Sequence, residues 1–145
     1  MDENPGRWKF YPHTADAKYE AYGKTIEELF SNAATACMEV MTDTSLIKEE
    51  QKHDITIKAK RLESLLYDFL DELLFILDTE GTITKNAQNL TIKETEEGYE
   101  LRTTLTGDSH KHYDITSDVK AITYSDMIIE QKENGTWRCM VVVDI

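Results

Sequence analysis

The residues of this chain that could do chemistry are mainly hard oxygen donors. Asp16 ends a polar stretch, His13-Thr14-Ala15-Asp16, placed between two predicted strands. Asp144 follows the last predicted strand, and the α-carboxylate of Ile145 would lie one residue beyond it. Carboxylate and carbonyl oxygens suit Ca²⁺ or Mg²⁺ better than Zn²⁺. The two stretches are therefore candidate cation sites, although an Asp at the end of a strand is also a common turn former.

Three further polar features are candidates for a function. Asp43 follows a predicted helix and is a further candidate oxygen donor. His110 and His112 could place both rings on one side of an extended segment, but a surface loop is the simpler interpretation. The acidic pattern of Asp68, Asp71 and Glu72 is typical of the solvated face of an amphipathic helix, with a docking surface as the alternative.

The elements that must position these residues are strands at both ends of the chain. The segment Trp8 to Tyr11 and the alternating run Ala17 to Tyr22 predict two strands. The last 25 residues predict a β-hairpin around Asn134-Gly135, a dipeptide that tolerates positive φ. Since Val141 to Val143 shows no polar alternation, this final strand should be central and covered on both faces.

Two helices and three more strands are predicted between those ends. Thr25 and Glu28 form a capping box that starts a helix running to about Met41. A second helix should extend from Leu62 to about Asp78 and stop near Gly81. The remaining strands are 54–60 and a hairpin of 88–95 with 100–106, followed by a polar loop at 108–113. The order predicts one α+β domain, residues 1–145, with mixed β-sheets and two main helices packed against one face.

Composition limits the partners and the cellular setting. With 28 acidic and 16 basic residues the net charge is -12, which disfavours direct binding of nucleic acid and favours a basic protein or a cation. Cys37 and Cys139 lie in apolar segments without C-x-x-C spacing, which predicts buried thiols in a reducing cytosol. No signal sequence or long apolar run is present. We expect a cytoplasmic protein with no membrane contact.

Common catalytic motifs are absent from the sequence. It contains no glycine-rich phosphate loop, H-E-x-x-H, G-x-S-x-G or paired-cysteine metal spacing. Several stretches instead resemble the archease family along nearly the whole chain, in order. They are His13-Thr14-Ala15-Asp16, Ala21-Tyr22-Gly23, Val40-Met41-Thr42-Asp43, Leu62 to Asp68, Asp78-Thr79-Glu80-Gly81, Val119 to Tyr124 and Val142-Val143-Asp144-Ile145.

The resemblance implies a protein cofactor rather than an enzyme. Members of the family assist the RtcB-type RNA ligase of tRNA splicing and RNA repair, promoting its guanylylation and repeated turnover. The resemblance also implies a divalent cation, Ca²⁺ with Mg²⁺ or Mn²⁺ as alternatives, held by Asp16, Asp144 and Ile145. Further functional candidates are His13, Asp43 and Lys120. RNA would be contacted only through the ligase, and the oligomeric state is left open.

Two other functions compete with this expectation. One is a metal-dependent hydrolase or transferase that uses Asp16, Asp43 and His13 around the cation, with a metal-activated water. Against it, no general base with an orienting partner is evident. The other is a chaperone-like modulator of RNA-modifying enzymes, a role also attached to the family.

Overall fold

The computed structural model describes residues 6–12 and 16–145. These residues contain seven strands and two α-helices. In chain order they are β1 (Trp8–Tyr11), β2 (Asp16–Gly23), α1 (Ile26–Glu39), β3 (Gln51–Ala59), α2 (Leu62–Glu80), β4 (Thr82–Thr95), β5 (Gly98–Ser109), β6 (Ala121–Gln131) and β7 (Trp137–Asp144). Two 3₁₀ turns occupy Thr44–Leu46 and His110–His112. The predicted α+β class is confirmed.

The strands form two sheets, with the orders β1-β2-β7-β6 and β3-β5-β4. All pairings among the described strands are antiparallel, where the sequence suggested mixed pairing. Short connections join β1 to β2, β4 to β5 and β6 to β7, and such connections make neighbours antiparallel. The final strand is central as predicted, since β7 lies between β2 and β6 and Val141 to Val143 are buried.

Both helices contact both sheets, rather than covering one face of a single sheet. Helix α1 contacts β2 and β7 of the four-stranded sheet and β4 of the other, while α2 contacts β6 and all three strands of the smaller sheet. Because α1 lies against both sheets, it is buried on nearly every side. Its small residues Ala33, Ala34 and Ala36 are fully buried. Phe30 of α1 stacks on Phe69 of α2 with ring centroids 6.3 Å apart, which joins the helices in one core.

The helix ends follow the predicted caps. The Thr25 hydroxyl accepts the Glu28 N–H at 3.1 Å, while the Glu28 carboxylate accepts the Lys24 N–H at 3.0 Å, one residue before the position expected of a capping box. Gly81 ends α2 in the left-handed region at φ 71°. Among the described residues, no helix has the length and apolar character needed to cross a membrane.

Candidate functional site

The two predicted carboxylates meet at one end of the four-stranded sheet. Asp16 is the first residue of β2 and Asp144 is the last residue of β7, and the two are direct partners in the antiparallel ladder. Directly opposed residues point to the same face, with Cβ atoms about 5 Å apart. Strands β2 and β7 are therefore neighbours, and both carboxylates lie on the outer face of the sheet, opposite the buried side chains of Tyr19 and Val141.

Lys120 lies beside the same ladder end. Its backbone N–H donates to the Asp144 carbonyl at 2.8 Å, and β6 begins with Ala121 paired to Asp144. The Lys120 side chain is exposed. Two acidic residues and one basic residue are therefore neighbours along the backbone where three strands end or begin. We refer to Asp16, Asp144 and Lys120 as the ladder-end cluster.

A protruding bulge of β6 flanks this cluster. Four residues of β6, from Tyr124 to Met127, stand opposite Val141 alone, because the register shifts between Thr123 and Ile128. Asp126 takes φ 54° in the bulge, and its carboxylate lies 3.2 Å from the Lys18 ammonium. Lys18 projects from the same face as Asp16, two residues along β2. The ion pair thus holds the bulge over the outer face, next to the cluster.

The predicted cation site fits these donors in part. Asp16 and Asp144 supply hard oxygens from adjacent strands, and Ile145, 41% exposed, follows at once. Among the described side chains, no group of three or more His, Cys, Asp or Glu is arranged to hold a metal ion. A complete ligand set would need the α-carboxylate of Ile145 or a residue of the undescribed segment. His13 belongs to that segment, so its predicted role lies outside the described residues.

Asp43 is engaged in a turn. Its carboxylate accepts the Ser45 hydroxyl at 2.6 Å and the Ser45 N–H at 3.0 Å, capping the 3₁₀ turn Thr44–Leu46. These bonds lower the pKa of Asp43, mainly through the hydroxyl. Asp43 also lines a cavity of about 260 Å³ with Arg7 and Lys85. The capping role is the one that its contacts support.

The histidine stretch forms a compact turn around a buried carboxylate that the sequence did not single out. Asp108, 4% exposed, accepts the Tyr113 hydroxyl at 2.7 Å and lies 3.2 Å from Nδ1 of His112. The Tyr113 bond, followed by His112 and the Ser109 N–H, lowers the pKa of Asp108. A polar loop was predicted here, and only the Asp-Ser pair before the histidines hinted at local capping. The contacts give Asp108 a role in fixing the end of β5.

A network of hydrogen bonds and ion pairs that the sequence did not predict crosses the outer face of the four-stranded sheet. The Glu20 carboxylate, 8% exposed, accepts hydrogen bonds from Tyr11 of β1 and Arg138 of β7, and Arg138 also pairs with Glu130 of β6. Burial alone would raise the pKa of Glu20, but these two donors outweigh it and hold the pKa below its usual value. All four strands are connected by this network, which supports the sheet that carries the ladder-end cluster.

The two thiols are structural. Cys37 and Cys139 are free and fully buried, as predicted. Burial raises the pKa of each to about 12, so neither is a thiolate near neutral pH. Cys139 lies in β7 and Cys37 in α1, on either side of the core between that strand and that helix.

Comparison with known proteins confirms the resemblance. The Archease protein family matches residues 8–145. The chain is 39% identical to protein archease of Pyrococcus abyssi over 142 residues, covering 96% of this chain and 99% of that protein. It is 35% identical to protein archease of Methanosarcina mazei over 147 residues, with full coverage of both.

The fold agrees with the sequence comparison. The solution structure of Methanobacterium thermoautotrophicum protein 1598 superposes with a TM-score of 0.81 at 38% sequence identity, covering 95% of this chain and 98% of that one. The family match spans β1 to the last residue and so includes every member of the ladder-end cluster. This chain therefore belongs to the archease family.

Proposed function

We propose that the protein is a cofactor that activates an RtcB-type RNA ligase, promoting ligase guanylylation and multiple turnover in tRNA splicing and RNA repair. The observation that carries the proposal is the family match over residues 8–145. The fold supports it by bringing Asp16, Asp144 and Lys120 to one sheet end. In this proposal the protein acts in the cytoplasm, contacts RNA only through the ligase and is not itself a catalyst.

The proposal includes a divalent cation, Ca²⁺ or alternatively Mg²⁺ or Mn²⁺. Asp16 and Asp144 would hold it, with the α-carboxylate of Ile145 as a third donor. Two carboxylates opposed on neighbouring strands repel each other, and a bound cation would supply the positive charge that removes this repulsion. The chain's own contribution is to fix both carboxylates on one face of a rigid, central pair of strands.

Lys120 has a separate proposed role in contact with the ligase. Lys120 is exposed at the sheet end that carries Asp16 and Asp144, and its backbone is fixed by the hydrogen bond to the Asp144 carbonyl. An exposed lysine held at this position could contact a phosphate or the nucleotide of the ligase. The side chain of Lys120 is therefore proposed to act on the partner rather than on this fold.

One reconstitution separates the competing functions. The purified protein is incubated with RNA ends and GTP, first alone and then with a cognate ligase. A cofactor gives no product alone and increases ligase guanylylation and product in the mixture. Chemistry on RNA or GTP by the protein alone would contradict the cofactor role and favour a metal-dependent enzyme. An unchanged ligase in the mixture would contradict the proposed partner.

A further inference from the structure

Helix α2 presents an exposed acidic face with an aromatic residue in it. The helix contains no lysine or arginine between Leu62 and Glu80. Phe75 is 58% exposed, although the other aromatic residues of α2, Tyr67 and Phe69, are half-buried or buried. Four of the five residues at helical spacing from Phe75 are acidic, Asp68, Asp71, Glu72 and Asp78, and the fifth is Thr79.

An open cavity adjoins this face at the C-terminal end of the helix. It has a volume of about 380 Å³ and is lined by Met41, Leu77 and Ile115, with Asp78, His110 and Asp118 as its polar members. Ile115 is itself 39% exposed. Asp78 belongs to both features, so the helix face and the cavity are continuous. We call this combined surface, Asp71, Phe75, Asp78, Ile115 and Asp118, the α2 groove.

The charges of this surface are not neutralised within the described part of the chain. No ion pair there involves an acidic residue of α2. Partial burial and then the neighbouring Asp71 raise the pKa of both Asp68 and Glu72. Asp78 also lies in the last turns of the helix, where the macrodipole favours a cation. Stability alone would favour a lysine in the last turns of the helix. The acidic residues of this surface therefore lower the stability of the free protein.

The groove also leads toward the ladder-end cluster. Asp118 is two residues before Lys120, and the residue between them, Val119, is buried. A partner segment lying in the groove would therefore continue to the exposed Lys120 side chain and to the pair Asp16–Asp144. Docking at the groove and action at the cluster are thus compatible with one continuous contact.

We propose that the α2 groove docks a basic segment of the partner ligase, with lysine or arginine side chains opposite Asp71 and Asp78 and an apolar side chain against Phe75 and the cavity. This inference rests on the proposed function. The charge complementarity is general, because a ligase must present basic surfaces to the phosphate backbone of RNA. From Asp68 to Asp78 the helix extends about 15 Å, a length that roughly five extended residues would cover.

A second copy of this chain is a poorer occupant on electrostatic grounds. Each copy carries a net charge of -12, and the groove would meet a partner of the same sign. Self-association through this face is nevertheless measurable and is included in the test below.

The experiment measures ligase binding and ligase activation for wild type, Phe75→Ala, Asp71→Lys and Asp78→Lys. Phe75→Ala should raise the Kd for the ligase about thirtyfold, as expected for a central aromatic anchor. Each lysine variant should raise Kd at least fivefold and reduce its salt dependence. Activation at saturating protein should be retained, since the ladder-end cluster is intact. Only the concentration for half-maximal activation should increase.

Asp78→Lys distinguishes a docking role of Asp78 from a role in the stability of the fold. A lysine in the last turns of α2 complements the helix dipole, so Tm should rise by about 1–3 °C while ligase binding weakens. A variant that is merely destabilised would instead show a lower Tm together with weaker ligase binding. Tm is measured by thermal unfolding of each purified variant.

Two control variants match these changes elsewhere on the surface. Leu46→Ala removes an apolar side chain that is 66% exposed, and Glu96→Lys reverses a charge in the exposed turn between β4 and β5. Both should bind the ligase with a Kd within about twofold of the wild-type value.

If Phe75→Ala and Asp78→Lys also bind like wild type while wild type activates the ligase, the groove is not the docking surface and the proposed function stands. If wild type neither binds nor activates the ligase, the proposed function fails as well. Loss of a wild-type dimer in Phe75→Ala, seen by sedimentation, would assign the groove to a second copy and overturn the inference.

Discussion

Replacing Asp144 by asparagine should make the protein more stable without a divalent cation and insensitive to added calcium. Asp144 opposes Asp16 directly in the β2–β7 ladder, so the Cβ atoms of the two residues are about 5 Å apart and their carboxylates project from the same face. Two like charges separated by about 5 Å repel by about 0.8 kcal/mol at the dielectric constant of water and about 3 kcal/mol at an effective value of 20. Asp144 is exposed, which favours the lower figure. We expect Asp144→Asn to gain about 1 kcal/mol in EDTA.

With calcium bound, wild type should instead be more stable than Asp144→Asn. A ligand present at 100 times its Kd stabilises the native state by about 2.7 kcal/mol if it does not bind the unfolded chain. Wild type should gain this amount, and Asp144→Asn should gain much less because one of the two opposed carboxylates is gone. Urea unfolding of both proteins in EDTA and in calcium measures all four free energies of unfolding.

The matched control is Glu97→Gln, which removes one negative charge from the exposed turn between β4 and β5. It should keep the full calcium response, so a general effect of net charge is separated from a local one. Equal calcium responses in wild type and Asp144→Asn would refute the cation site at the ladder end. A variant no more stable than wild type in EDTA would show that the two carboxylates point apart.

Three other predictions concern neighbouring residues. Lys120→Ala should lose ligase activation while keeping the wild-type Tm, because its exposed ammonium makes no ion pair with the described residues; unchanged activation would leave it a solvated lysine. The carboxyl of Glu20 has a lowered pKa, so its stabilising effect is present above the unfolded pKa and is lost as pH falls through the folded pKa. Glu20→Gln should therefore lower the free energy of unfolding at pH 7 and flatten its decline in acid, and a wild-type acid profile in the variant would contradict this. Extending Ile145 with a Gly-Ser tail should weaken calcium binding in calorimetric titration, whereas equal affinities would remove its α-carboxylate from the ligand set.

Local signals predicted most of the helices and the terminal hairpin. Helix α2 runs from Leu62 to Glu80, close to the predicted range, because a wide apolar stripe marks the helix and the left-handed Gly81 ends it. The final hairpin forms around residues 132–136, but only Gly135 takes positive φ, at 90°, so the turn is longer than a two-residue Asn-Gly turn.

Strand β4 shows where the sequence pattern was insufficient. It was predicted to begin at Gln88, yet it begins at Thr82. Its register shifts between Thr84 and Asn86 and again between Gln88 and Thr91, and Asn89 has φ 54°. Each bulge interrupts the alternation on which strand prediction depends. The first half of β4 therefore has no regular pattern of period two.

The candidate site depended on information that local patterns do not contain. Asp16 begins β2 and Asp144 ends β7, but their direct pairing joins residues 128 positions apart, and only the family resemblance linked them in advance. The role of Asp108 could not be predicted from the sequence for a different reason. Its burial comes from the packing of Tyr113 and His112 around it, a tertiary effect that a polar sequence does not reveal.

Ligase turnover with ligase limiting tests the central proposal most directly. A cognate RtcB-type ligase is held below the RNA concentration with GTP and metal present, and this protein is titrated in while ligated product per ligase is counted. The proposal predicts product rising well above one per ligase with wild type, and far less with Lys120→Ala. Product that stays at or below one per ligase across the whole titration would contradict it.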